Sequence, residues 1–145
     1  MKSREWVVFD TNIWIFGLRE SVEFPACSIL LRNLPKLFVK IPRQIILELQ
    51  DNLTNDELSD FYRLLNQNPE NYERRWEKAK GKLLNKYMRL GCKLGDAVIS
   101  SHMEELNIKT LVSENRDFLL EAEGLPFRVL NSEAAVKELL YKMDR

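Results

Sequence analysis

Trp6-Val7-Val8-Phe9-Asp10-Thr11-Asn12 is the stretch that decides how the rest of the chain is read. A short apolar run bounded by polar residues marks a buried strand, and this one stops at Asp10. Asp-Thr-Asn supplies side chains suited to starting a helix, so a short helix is expected through Ile13, Trp14 and Phe16. Trp14 and Phe16 are expected to pack against the first helices. Residues 23–33 place Ala26, Ile29 and Leu30 at the spacing of an inward helical face. Leu37-Phe38-Val39-Lys40-Ile41 reads as a second strand, closed by Pro42, which opens a helix reaching about Asn52. Thr54-Asn55-Asp56-Glu57 has capping-box spacing, which predicts a helix ending near Asn66. Residues 69–90 form a long helical pattern stopped by Gly91. Residues 94–107 form another helix, with His102 on its apolar side as a core residue. Residues 109–113 and 127–130 are a third and a fourth strand, and 131–143 is a final helix with Val136, Leu139, Leu140 and Met143 inward. Strands interleaved with helices predict an α/β fold, a central parallel sheet of about four strands flanked by helices on both faces.

The chain has 145 residues, 45% hydrophobic and 30% charged, which suits one soluble domain over residues 1–145. Its formal net charge is zero, so the overall balance favours no polyanionic partner. No apolar run approaches the ~20 residues needed to cross a bilayer. The first residues lack the pattern of a signal peptide, so a cytoplasmic protein is expected. Cys27 and Cys92 are too few for a disulfide framework, and a single histidine leaves no Cys/His metal pattern.

In open α/β sheets, sites form outside the carboxyl ends of the strands. Asp10 ends the first strand, and Asn115 follows two residues after the 109–113 strand. Asp96 falls in the first turn of the helix before that strand. On the helix after Pro42, Ile41, Ile45, Ile46, Leu49 and Leu53 form the apolar stripe, and Glu48 lies at its margin. Each residue also has a plain structural use. Asp10, Thr11, Asp96 and Asn115 are all suited to capping helices, and Glu48 to a solvated helix edge. The order and position of the set give it meaning beyond capping.

Taken together, Val8-Phe9-Asp10-Thr11-Asn12, Glu48, Lys93-Leu94-Gly95-Asp96-Ala97-Val98-Ile99 and Leu111-Val112-Ser113-Glu114-Asn115-Arg116-Asp117-Phe118 resemble the PIN-domain family. The resemblance runs from the first strand to the last helix. That family includes the toxin nucleases of VapBC-type toxin–antitoxin pairs, which this chain is similar to in length. The resemblance implies a metal-dependent ribonuclease with Asp10, Glu48 and Asp96 as its acidic core. The fourth position, often Asp in the family, is Asn115 here, and Asp117 is near enough to assist. Ser113, where the family often has Thr, would orient its neighbours. Asn12 would hydrogen-bond to the site carboxylates or to a water. A homodimer and a small antitoxin partner are also implied.

Clustered carboxylates repel one another, and burial adds to that cost, so a divalent cation is expected among them. With no histidine or cysteine in the set the ligands are hard oxygens, which favour Mg²⁺ or Mn²⁺. Bound metal activates water for phosphodiester hydrolysis. The family resemblance implies RNA as the substrate, cut to leave a 5′-phosphate and a 3′-hydroxyl. Between residues 74 and 93 there are eight Lys or Arg and one acid, Glu77, against net neutrality for the chain. A helical projection puts Arg75, Lys78, Lys82, Lys86 and Arg89 on one arc, an expected RNA-binding face. A solvated helix face is the plain alternative. Glu114, Glu104 and Glu105 are expected at the surface. A haloacid-dehalogenase-like phosphatase needs a second Asp where Asn12 stands, and a phosphoreceiver needs a different residue order. The competing function is a catalytically weak or inactive PIN-fold RNA-binding or scaffolding protein, which the neutral Asn115 keeps open.

Overall fold

A computed structural model describes residues 5–120 and 124–141. Five strands form one parallel sheet in the order β3-β2-β1-β4-β5: β1 (Trp6–Phe9), β2 (Phe38–Pro42), β3 (Tyr72–Arg75), β4 (Thr110–Val112) and β5 (Arg128–Leu130). Central β1 is the apolar run that opens the chain, and Val7, Val8 and Phe9 are buried there. A strand in the middle of a helix-covered sheet must be apolar on both faces, which is why it does not alternate.

The helices are α1 (Thr11–Leu18), α2 (Pro25–Arg32), α3 (Arg43–Asn52), α4 (Asn55–Gln67), α5 (Gly81–Arg89), α6 (Leu94–Glu105), α7 (Arg116–Leu120) and α8 (Ser132–Ala135). The last continues as a π-helical segment over Val136–Tyr141. Met143, expected on that helix, lies outside the described residues. Val136, Leu139 and Leu140 are buried as expected. Helix α1 packs on α2, α3 and α4, while α3 and α5 each pack on α6. Gly17 sets the approach of α1 to α2: a Cβ there would stand 2.5 Å from Leu31 Cδ1 and 3.0 Å from the Cys27 carbonyl oxygen. Trp14 is fully buried between Phe9 and Phe61, and Phe16 stacks on Phe24. The capping box at Thr54 forms, with Glu57 N–H donating to Thr54 Oγ1 and Thr54 N–H donating to Glu57. His102 is buried and its pKa is lowered by that burial. Among the described residues Cys27 and Cys92 are not joined in a disulfide. Among the described residues no helix is long and apolar enough to cross a membrane.

The sheet has five strands where about four are expected, and the extra one corrects the reading of residues 69–90. Tyr72-Glu73-Arg74-Arg75 is a strand at the sheet edge, so the helical stretch is limited to α5. An edge strand pairs on one side only and needs no apolar alternation. It is anchored from outside the strand. Asn71 Nδ2 donates to the carbonyls of Pro35 and Leu37 at 3.0 and 2.9 Å, and Val39 N–H donates to Asn71 O.

Candidate active site at the carboxyl edge of the sheet

Phe9 pairs with Val112, so Asp10 and Ser113 leave the sheet side by side, and Asp10 N–H donates to Val112 O at 2.8 Å. Ser113 Oγ donates to Asp10 Oδ2 at 2.7 Å and accepts from Asn115 N–H at 2.9 Å. The other Asp10 oxygen accepts from Thr11 N–H at 2.8 Å, which makes Asp10 the cap of α1. Capping and placement in the site are therefore one arrangement here.

Glu48 projects from the margin of α3, whose Ile45, Ile46 and Leu49 are buried. The Thr11 hydroxyl donates to Glu48 Oε2, and Gln44 Nε2 donates to Oε1 at 3.1 Å. Gly95 faces the same carboxylate: a Cβ there would lie 3.2 Å from Glu48 Oε1. The glycine before Asp96 thus leaves Glu48 room beside the first turn of α6. Asp96 Oδ1 accepts from Asn115 Nδ2 at 3.3 Å. Asn115 Oδ1 accepts from Asp117 N–H at 3.0 Å, so one side chain starts α7 and touches Asp96. The Asp117 carboxylate is half-exposed and pairs with Lys93 at 3.4 Å.

Asn12 Oδ1 accepts from Glu114 N–H at 3.3 Å, so it ties α1 to the loop after β4. The carboxylates expected at the surface are placed differently. Glu114 is not a free surface residue, because its Oε1 accepts from Ser132 N–H and Oγ at 2.7 and 3.0 Å. Glu104 and Glu105 are partly covered and pair with Lys86 and Lys80 of the α5 region. Thr11, Gln44 and Gly95 are site neighbours that sequence reasoning missed. Gln44 was findable as the i−4 neighbour of Glu48.

Burial pushes the Asp10 carboxyl up to about 6. Hydrogen bonds from Ser113 and Thr11 oppose the rise, while Glu48 and Asp96 add to it. Asp96 is raised too, first by burial and then by Asp117 and Glu48, against Lys93 and Asn115. Glu48 thus repels both Asp10 and Asp96, and Asp96 repels Asp10. A stability prediction follows. A carboxyl whose folded pKa is raised stabilises the fold fully below its unfolded pKa of 3.8, and that contribution is lost as pH rises through about 6. Metal-free Asp10→Asn is accordingly expected to gain up to ~3 kcal/mol over wild type above about pH 7, and to show no gain near pH 4. Urea unfolding at the two pH values measures this.

Among the described residues no three His, Cys, Asp or Glu side chains are drawn together tightly enough to hold a metal ion as they stand. The donor set nonetheless suits a hard cation in kind. Its donors are all carboxylate oxygens, and burial, with repulsion among them added, raises the pKa of Asp10 and Asp96. Glu48 is held by hydrogen bonds from Thr11 and Gln44.

The basic arc does not exist as projected, because its residues do not share a helix. Arg75 is on β3, Lys78 is in the segment after it, and Lys82, Lys86 and Arg89 are on α5. Arg75 pairs with Glu73 and Glu77, and Lys86 with Glu104.

With five parallel strands in this order and helices around them, the chain has a PIN-like fold. No family model matches the sequence, and no curated protein matches it. Among solved structures it is similar to a chain of VapBC2 from Rickettsia felis, a complex bound to a DNA fragment from their promoter. The TM-score is 0.62 at 21% identity over 87% of this chain and 98% of that one. It is also similar to PAE2754 from Pyrobaculum aerophilum, with a TM-score of 0.61 at 16% identity over 97% of this chain and 99% of that one. At these identities the likeness is one of fold.

Proposed function

We propose that the chain is a metal-dependent endoribonuclease that hydrolyses RNA phosphodiester bonds, with Asp10, Glu48 and Asp96 holding Mg²⁺ or Mn²⁺. The observation that carries this reading is the gathering of three carboxylates at one sheet edge: Asp10 held by Thr11 and Ser113 at the end of β1, Glu48 reached by the Thr11 hydroxyl and faced by Gly95, and Asp96 in the first turn of α6. Burial and mutual repulsion disfavour the ionised forms of Asp10 and Asp96 there. Such an arrangement costs stability in the protein alone and is relieved by a cation. The cation, when bound, supplies Lewis-acid activation of water and neutralises charge on the phosphate. The chain's own residues orient the carboxylates. Ser113 and Thr11 fix Asp10, Thr11 and Gln44 fix Glu48, and Asn115 holds Asp96. Asp117, paired with Lys93, lowers the ease of ionising Asp96 from outside the cluster.

The test is incubation of purified protein with pooled total RNA and Mg²⁺ or Mn²⁺, beside an EDTA-treated sample. Cleavage that needs metal and leaves a 5′-phosphate with a 3′-hydroxyl is expected. A 2′,3′-cyclic phosphate product overturns the hydrolytic reading. The fold likeness to a VapBC2 chain supports a toxin role with a small antitoxin partner. A homodimer is part of the same proposal. One observation favours a second reading, a non-catalytic RNA-binding or scaffolding protein. The fourth site position is the neutral Asn115, whose amide is spent on Asp96 and on starting α7.

A further inference from the structure

Trp76 is 54% exposed, while the other two tryptophans are covered: Trp14 is fully buried, and Trp6 is half-buried against Phe38 and Lys40. The Arg43 guanidinium carbon stands 5.3 Å from the Trp76 ring centroid. Arg43 opens α3, the helix that carries Glu48, and Trp76 is the residue after β3. Pro42 pairs with Arg75, so Arg43 and Trp76 are the next residues past the same edge of neighbouring strands. The registers Val7↔Val39 and Phe9↔Val112, extended, put Asp10 level with Pro42, Arg75 and Ser113. Trp76 therefore stands at the edge that carries the acidic cluster, two strand spacings or roughly 10 Å from β1.

We propose that Trp76, with Arg43 beside it, is a stacking platform for a base of single-stranded nucleic acid lying across this edge; the inference rests on the nuclease reading of the acidic cluster. A flat, exposed aromatic ring set among cations is how proteins hold unpaired bases without reading their sequence. Among the described residues Arg43, Arg74, Lys78 and Lys82 make no ion pair with a carboxylate, and Arg43 Nε is buried without a hydrogen-bond partner. Arg74, Lys78 and Lys82 are exposed and free to meet phosphates, while Arg43 backs the ring. A second copy of the chain is a poorer occupant, because a two-fold contact sets one basic segment against its twin.

The experiment measures binding of a fluorescently labelled single-stranded oligoribonucleotide to the full chain in EDTA, so that cleavage does not interfere. Wild type, Trp76→Ala and Trp76→Phe are compared, with sedimentation velocity on each. The expected result is affinity weakened about tenfold or more by Ala and less than about threefold by Phe, with sedimentation unchanged. Unlabelled oligonucleotide is also expected to quench tryptophan emission of wild type and not of Trp76→Phe, since Trp14 is buried and Trp6 is half-buried at the far end of β1 from Asp10. Equal affinity of Trp76→Ala and wild type, or no binding by wild type, overturns the inference. Affinity lost only through dissociation of a dimer also overturns it and assigns the face to a second copy. RNA cleavage together with unchanged Trp76→Ala affinity sinks the platform and leaves the nuclease. Trp76-dependent binding without cleavage under any divalent cation leaves the platform and sinks the nuclease.

Discussion

Asp96→Asn is expected to lower RNA cleavage by about three orders of magnitude while leaving the fold in place. The substitution removes one of three charges from the acidic cluster and keeps the shape. An amide oxygen still accepts from Asn115 Nδ2, the side-chain hydrogen bond that holds Asp96 among the described residues. Burial and the neighbouring Asp117 and Glu48 already disfavour ionised Asp96, so a neutral side chain there does not cost the folded state its electrostatic balance. Asp117→Asn is the control. That carboxylate is half-exposed and paired with Lys93, so its loss is expected to change the rate by less than about tenfold. Single-turnover cleavage beside thermal melts separates the two variants. Cleavage by Asp96→Asn at the wild-type rate, with an intact fold, would place the chemistry elsewhere.

Trp14→Ala is expected to destabilise the protein by about 3–5 kcal/mol, a large share of a small domain's usual ~5–15 kcal/mol. Trp14 is fully buried, with its ring 5.4 Å from Phe9 and 5.1 Å from Phe61, so it joins β1 to α4 through α1. The first turn of that helix begins with Asp10 and Thr11, which ties the stability of the core to the position of two site residues. The indole N–H of Trp14 has no hydrogen-bond partner among the described residues. Trp14→Phe removes that unpaired donor along with some volume, and its cost is expected to fall well below that of Ala. Urea unfolding of the two variants checks the order. A cost under about 1 kcal/mol for Ala would mean that the α1–β1–α4 core is not closed around this ring.

The parts of this fold legible in the sequence are those with a local cause. Trp6 to Phe9 is uniformly apolar because both faces are covered, and the Thr54 capping box forms within four residues. Strand β3 was hidden for the opposite reason. Tyr72-Glu73-Arg74-Arg75 sits at an edge, and the contacts that hold it come from Asn71 reaching back across the chain to Pro35 and Leu37. The helix-forming Lys, Ala and Leu residues after it extend the pattern of α5 backwards over the strand. That error also produced the false basic arc and concealed Trp76 at the sheet edge. At the site, strand ends announce Asp10 and Ser113, and helix margins announce Glu48 and Asp96. The hydroxyl of Thr11 reaching Glu48, and Asn12 turning to the Glu114 backbone, depend on how α1 and α3 meet. Nothing local to either residue carries that information.

The most direct measurement is Mn²⁺ binding by the purified chain, followed by electron paramagnetic resonance and repeated on Asp10→Asn and Asp96→Asn. The account predicts that wild type removes free Mn²⁺ from solution and that both variants lose this binding while remaining folded. Wild-type protein that leaves the Mn²⁺ signal unchanged, or binding that survives both substitutions, would contradict a metal centre at Asp10, Glu48 and Asp96.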